Sequence, residues 1–254
     1  MYNYIIMNVL IFDEYHPSQQ SGRAAKIYPE GIHGALKTIF EGNDDIQVKI
    51  ATQDMPEHGL TEDALSDTDV LIYWGHVWQA EFMDSVAERV QKHVLRGMGV
   101  IFLHASKTSK VCKRLLGTSC SAIYREDGEK ERVWTVSPAH PIASGIPGDF
   151  TIDEDEMYGE YCDLPKPDDI VFIGSFAGGE VMRAGCTFTR GFGKIFYFQP
   201  GHHTFPVYNN EWVRRVIYNA TLWAAPAQKN TTDYVSTPVK NSEGGLVRRI
   251  FKWK

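Results

Sequence analysis

The sequence predicts a doubly wound α/β domain on a mostly parallel sheet with helices on both faces, and three observations lead there. Short runs of β-branched and aromatic residues alternate with segments of helical period through the first half of the chain. These runs are continuously apolar, as strands covered on both faces are. A turn-rich middle segment then breaks the alternation before strands and a helix resume, so an antiparallel excursion is expected there.

Taken in order, the strand candidates of the first half are VLIF at 9–12, IQVKIAT at 46–52, DVLIYWG at 69–75 and GVIFLHA at 99–105. Between the first two, 29–42 reads as a helix, with Pro29 in its first turn and Gly42 as its stop. Thr61 and Asp63 open a short helix holding Ala64 and Leu65. In 81–97, Phe82, Val86, Val90 and Val94 recur at four-residue steps and Gly97 ends the run. Parallel neighbours follow from this β-α-β order. Residues 131–161 carry many turn formers and supply the excursion. Strands at 169–176, 180–185 and 194–199 follow, then an amphipathic helix at 211–225 that Pro226 terminates. One domain, 1–226, accounts for all of this. The remainder, 227–254, is polar and then basic-aromatic, a tail that either docks on a second copy in a homo-oligomer or lies disordered.

Composition narrows the function. At 254 residues, with 43% hydrophobic and 23% charged, the chain suits a sizeable soluble core. A net charge of -6 argues against nucleic acid, which needs a basic face. No apolar run nears the roughly 20 residues of a membrane helix, and the N-terminus lacks the flanks of a signal peptide. The four cysteines, Cys112, Cys120, Cys162 and Cys186, show no CxxC pair and read as reduced thiols of a cytoplasmic protein.

The histidines carry the chemistry. In an open parallel sheet, ligands bind outside the carboxyl ends of the strands. His16 follows the first strand, His58 the second, His76 the third and His104 the fourth, while the last strand runs into His202 and His203. One histidine at a strand end is ordinarily a satisfied polar residue; several sharing one rim suggest a metal site. Neutral imidazole is the commonest metal ligand, and three ligands with an open position make a zinc-type catalytic centre. His76, His104 and His202 are the ligand candidates for a divalent ion. Of the adjacent pair, His202 is expected to face the pocket. The middle segment should fold over this rim, bringing His140 and Glu156. In DEDEMYGEY, Asp153, Glu154 and Asp155 read as a solvated turn, and Glu156, beside Met157 and Tyr158, as the carboxylate pointing inward, with Glu160 as the runner-up; Glu156 serves either proton transfer or structure. Tyr28, Trp74 and Trp78 are aromatic candidates for stacking on a sugar, though core packing explains each alone. No phosphate-cradling glycine motif and no G-x-S-x-G elbow is present.

The segments IYPEGIHGAL, DVLIYWGH, GMGVIFLHASKTSK, HPIASGIP, DEMYGE, GGEVMRAGCTFTRG and GKIFYFQPGHHTFP resemble, in order, the ThuA-like (trehalose-utilisation) family. The resemblance implies the flavodoxin-like fold of class I glutamine amidotransferases. It also implies that thiol-dependent glutamine hydrolysis is absent, because the turn that would carry the nucleophilic cysteine is FLHASK, with His104. Association of the family with disaccharide breakdown beside a sugar-oxidising dehydrogenase implies a keto sugar as substrate. A C3 carbonyl acidifies the C2 hydrogen, so a metal-assisted proton abstraction can expel the glycosidic oxygen. Glu156 and His203 are the proton-moving candidates; Lys107 and His140 join the aromatic residues as substrate-binding candidates. Such a protein is a hydrolase, lyase or isomerase. The alternative is a non-catalytic sugar-binding or regulatory protein that keeps the fold. Departures from the family pattern favour that alternative: Gln79 and Lys107 stand where further histidines are usual, and His203 where a glutamate is.

Overall fold

The computed structural model describes residues 6–226; the tail read at 227–254 lies outside the described residues. Nine strands form a single sheet in the order β2-β1-β3-β4-β9-β8-β7-β5-β6. The parallel half holds β1 (Met7–Asp13), β2 (Ile46–Thr52), β3 (Val70–Trp74), β4 (Gly99–Leu103) and β9 (Gly193–Phe198). The antiparallel half holds β8 (Val181–Arg190), β7 (Asp169–Phe176), β5 (Ile123–Thr135) and β6 (Asp149–Gly159).

Strand period divides the core in two. Leu10 and Phe12 of β1 face one layer, together with α3 (Glu62–Ser66), α4 (Asp84–Arg96) and α5 (Lys110–Leu116). Val9 and Ile11 face the other, with α1 (Gly22–Ile27), α2 (Gly31–Lys37) and α6 (Glu211–Ala224). Val86, Val90 and Val94 form the buried stripe of α4, which Gly97 closes at a φ of 125°. Two helix starts fall later than the sequence suggests. Pro29 lies outside α2, which begins at Gly31, and α4 begins at Asp84, because Phe82 leaves the helix path to pack on Phe12 and Tyr73. Among the described residues, no helix is long and apolar enough to cross a membrane.

The excursion decides where the site forms. β5 pairs β7 only over Glu131–Thr135. Its register with β6 then slips twice, between Arg125 and Glu129 and between Glu129 and Glu131. Such bulges bend and twist a strand pair. The inner half of the hairpin, Ile123–Arg125 against Met157–Gly159, thus leaves the sheet edge and lies over the carboxyl ends of β4 and β9.

Candidate functional site

Three carboxyl-end loops of the parallel strands build the floor. After β4 the chain turns at once: His104 has a φ of 55°, a left-handed conformation that costs a non-glycine residue about 1–3 kcal/mol. This strained turn drives the His104 ring inward, where it is fully buried and stacks on Tyr158 at 4.9 Å. After β3, the loop bearing His76 is tied down by Glu14, whose buried carboxylate accepts backbone N–H bonds from His76, Val77 and Trp78 at 2.6–3.0 Å. Gln79 braces that loop to the next, donating to the carbonyls of Gly75 and Ala105 and accepting from the Thr108 hydroxyl. After β9, Asp155 of β6 holds the third loop by accepting from the N–H groups of Gly201 (2.9 Å) and His202 (3.1 Å). Asp155 is fully buried, not a member of a solvated turn; its place under the bent hairpin, which sequence alone does not reveal, is the reason. Burial raises its carboxyl to about 6, while His104 and the three backbone donors oppose the rise.

These loops and β6 converge on one point. One ligand atom each from His76, His104, His202 and Glu156 lies within 4.8 Å of the others. The hydrogen bonding sharpens the picture. His104 Nδ1 lies 3.1 Å from the Gln199 carbonyl, which can only accept, so the proton sits on Nδ1. Nε2 then faces Glu156 Oε2, 2.9 Å away, with the Tyr158 hydroxyl at 3.4 Å. Two acceptors at that distance repel unless a proton or a cation lies between them. His76 Nδ1, His202 Nε2 and Glu156 Oε2 are buried with no hydrogen-bond partner. Burial, reinforced by the neighbouring imidazoles, lowers His76 to about 3 and lowers His202 as well, so both rings are neutral near pH 7. For Glu156, burial raises the carboxyl but contact with His104 outweighs it and keeps the group ionised. Neutral imidazoles, a carboxylate and orphaned ligand atoms, with a carbonyl fixing one tautomer, fit a divalent cation.

A cleft of about 400 Å³ opens onto this cluster, lined by His76, Lys107, Tyr124, Glu126, Glu156 and Tyr158 among others. His203 is also buried, beside both His76 and His202, and burial lowers it to about 4. Both members of the adjacent pair therefore pack against the cluster. The other candidates are distributed differently. Trp74 is fully buried and donates its indole N–H to Gly201, so it supports the third loop from behind. Tyr28 is tied by its hydroxyl to Phe205 and Tyr208 inside the core. Neither lines the cleft. Trp78 sits half-buried at the rim, edge-on to His16. His58 is satisfied by Gln53 and Met83. His140 caps the turn at Pro141–Ala143 and packs on Trp223 of α6, apart from the cluster, because the bent hairpin carries only the β6 half of the middle segment to the rim. Sequence reasoning missed Gln199, Tyr124, Glu126 and Tyr158. Only Tyr158 left a signal: it is two residues from Glu156 on one strand, hence on the same face.

The fold and site define an α/β domain of the amidotransferase-like fold with a histidine cluster at the carboxyl ends of its parallel strands. The chain belongs to the ThuA, trehalose utilisation, family, whose model matches residues 8–224. Solved structures agree on the fold. A ThuA-like protein from Parabacteroides merdae is 19% identical with a TM-score of 0.63, over 92% of this chain and 93% of that one. A second, from Bacteroides uniformis, is 14% identical with a TM-score of 0.64, over 88% and 94%. A cytoplasmic protein from Salmonella typhimurium is 14% identical with a TM-score of 0.57, over 87% and 100%. A search of curated proteins finds no match.

Proposed function

We propose that this protein acts in carbohydrate breakdown in the cytoplasm, on a keto-disaccharide or related keto glycoside supplied by a sugar-oxidising dehydrogenase. The observation that carries the reading is the convergence of His76, His104, His202 and Glu156 at the base of an open cleft. These four residues would hold a divalent ion of the zinc type, which when bound supplies Lewis acidity toward a substrate oxygen. The chain's own groups supply the rest. His203, kept neutral by burial and with its Nδ1 unpartnered, is the proton acceptor beside the cluster. Tyr124, exposed at the cleft mouth, offers a sugar an aromatic face. Loss of the hydrogen next to the carbonyl expels the glycosidic oxygen, and addition of water completes a net hydrolysis.

The test is the metal content of untagged protein and of His76→Ala, His104→Ala and His202→Ala, followed by turnover of a 3-keto glucoside. About one ion per chain, lost in all three variants, with turnover by the wild type alone, is expected. Binding of the keto glucoside without turnover by the metal-loaded protein would instead support a non-catalytic sugar-binding role. An absence of metal after reconstitution would remove the Lewis-acid chemistry.

A further inference from the structure

Lys107 stands apart from the other lysines. It is 3% exposed, and among the described lysines it alone is buried. It lies on the tight turn His104–Thr108 that follows β4, and its side chain reaches the cleft that Glu156 and His76 also line. Its Nζ sits 3.9 Å from the centroid of the Tyr158 ring. Among the described residues it has no hydrogen bond or ion pair, although the carboxylate of Glu156 shares the cleft. Its other neighbours are the buried thiols of Cys162, Cys112 and Cys120. A structural lysine pairs its ammonium or extends it into water. This one does neither, and it is one of the residues lining the cleft a ligand would fill. Burial lowers its proton affinity, with the thiols and Glu156 only partly offsetting that. Burial that favours the neutral amine is one way a lysine is readied for attack on a carbonyl.

We infer that Lys107 forms an imine with the carbonyl carbon of a ketone or aldehyde bound in the cleft. The Nζ lone pair adds to the carbonyl carbon and a proton passes from nitrogen to oxygen, giving a carbinolamine. A second proton, taken from solvent, lets that oxygen leave as water and leaves the iminium; water then returns to regenerate the carbonyl compound, the amine and that proton. No oxidant or reductant is consumed. The iminium withdraws electrons from the neighbouring carbon and so acidifies its hydrogen. The inference deepens the keto-glycoside reading and rests on it for the identity of the sugar. The imine itself requires only a carbonyl compound small enough for the cleft.

The full-length protein is incubated near pH 7 with sodium cyanoborohydride and either a 3-keto glucoside or dihydroxyacetone. Peptide mass spectrometry then locates the adduct, whose added mass is that of the probe less one oxygen atom. Binding of the 3-keto glucoside without reductant is measured in parallel by equilibrium dialysis. Labelling of Lys107 at least 10-fold above any exposed lysine is expected, and no labelling at that position in Lys107→Arg or Lys107→Met. Circular dichroism confirms that each variant is folded. Labelling no greater than that of exposed lysines overturns the imine with either probe. If the keto glucoside binds but is not trapped, the imine falls and the carbohydrate reading stands. If dihydroxyacetone is trapped at Lys107 while the keto glucoside neither binds nor traps, the imine stands and the carbohydrate reading falls.

Discussion

Replacing Gly201 with alanine tests how tightly the third loop is held. Gly201 has a φ of 142°, a region that glycine enters freely and an L side chain rarely does. A methyl group there would overlap the Tyr208 hydroxyl and lie 2.8 Å from its ring carbon Cζ, with His104 Cβ at 3.4 Å. Backbone strain of this kind costs about 1–3 kcal/mol, and forced overpacking about 1–3 kcal/mol more. The Gly201 carbonyl also accepts from the Trp74 indole and the Tyr208 hydroxyl, and displacement weakens both bonds. Gly201→Ala is therefore expected to lose about 4 kcal/mol, read by urea unfolding followed through tryptophan fluorescence. Tyr208→Phe removes the atom that clashes first and alone costs about 1 kcal/mol, one hydrogen bond. The double variant should then be about 1–2 kcal/mol more stable than the sum of the single losses predicts. Strict additivity, or a Gly201→Ala loss under 1 kcal/mol, would show that the loop moves freely and that the crowding argument is wrong.

Three other outcomes follow from the same geometry. His76 titrates near 6.5 when unfolded and near 3 when folded, so the unfolded chain binds the extra proton and stability falls as pH drops below about 6.5; between pH 7.5 and 5.5, metal-free wild type should lose about 1 kcal/mol more than His76→Gln in urea titrations. Glu131 is fully buried with both carboxylate oxygens unpartnered, and burial, with Asp155 adding to it, holds its carboxyl well above the ordinary range. Its folded value is the higher one, so stability is lost as pH rises, and Glu131→Gln should gain on the order of 1–3 kcal/mol at pH 8 with a smaller gain at pH 5, measured by denaturant midpoints. Gln79→Ala should cost about 1–3 kcal/mol by unbracing the loops of β3 and β4, and the variant should bind zinc at least 10-fold more weakly in a competition titration with a chelator.

The parallel half of the fold was legible because its strands are uniformly apolar and its helices keep their period. The rim histidines were legible because a fold rule places strand ends together, and His76, His104 and His202 do meet. The hairpin was harder. Nothing in its turn-rich sequence states that two register slips bend it over the rim, so Asp155 read as solvated and His140 as a neighbour of the site. Tyr28 and Trp74 misled for another reason: an aromatic residue at a strand end suits a stacking surface and a core equally well, and only the hydrogen bonds of their polar tips distinguish the two. Gln79 shows the converse. At the cluster's edge it serves as a brace whose partners all belong to the loops it joins.

The four converging groups come from positions 76, 104, 156 and 202 of the chain, on three parallel-strand loops and the bent hairpin. Each pair is distant in sequence, so no fragment short of the third loop contains the whole set. During synthesis the emerging polypeptide can offer an ion only isolated imidazoles, and the complete set arises when the last strand docks beside β4. Any cation captured there would bind the finished fold and not its precursors, adding its binding free energy to the native state alone. The protein would thus become hardest to unfold at the moment it becomes competent.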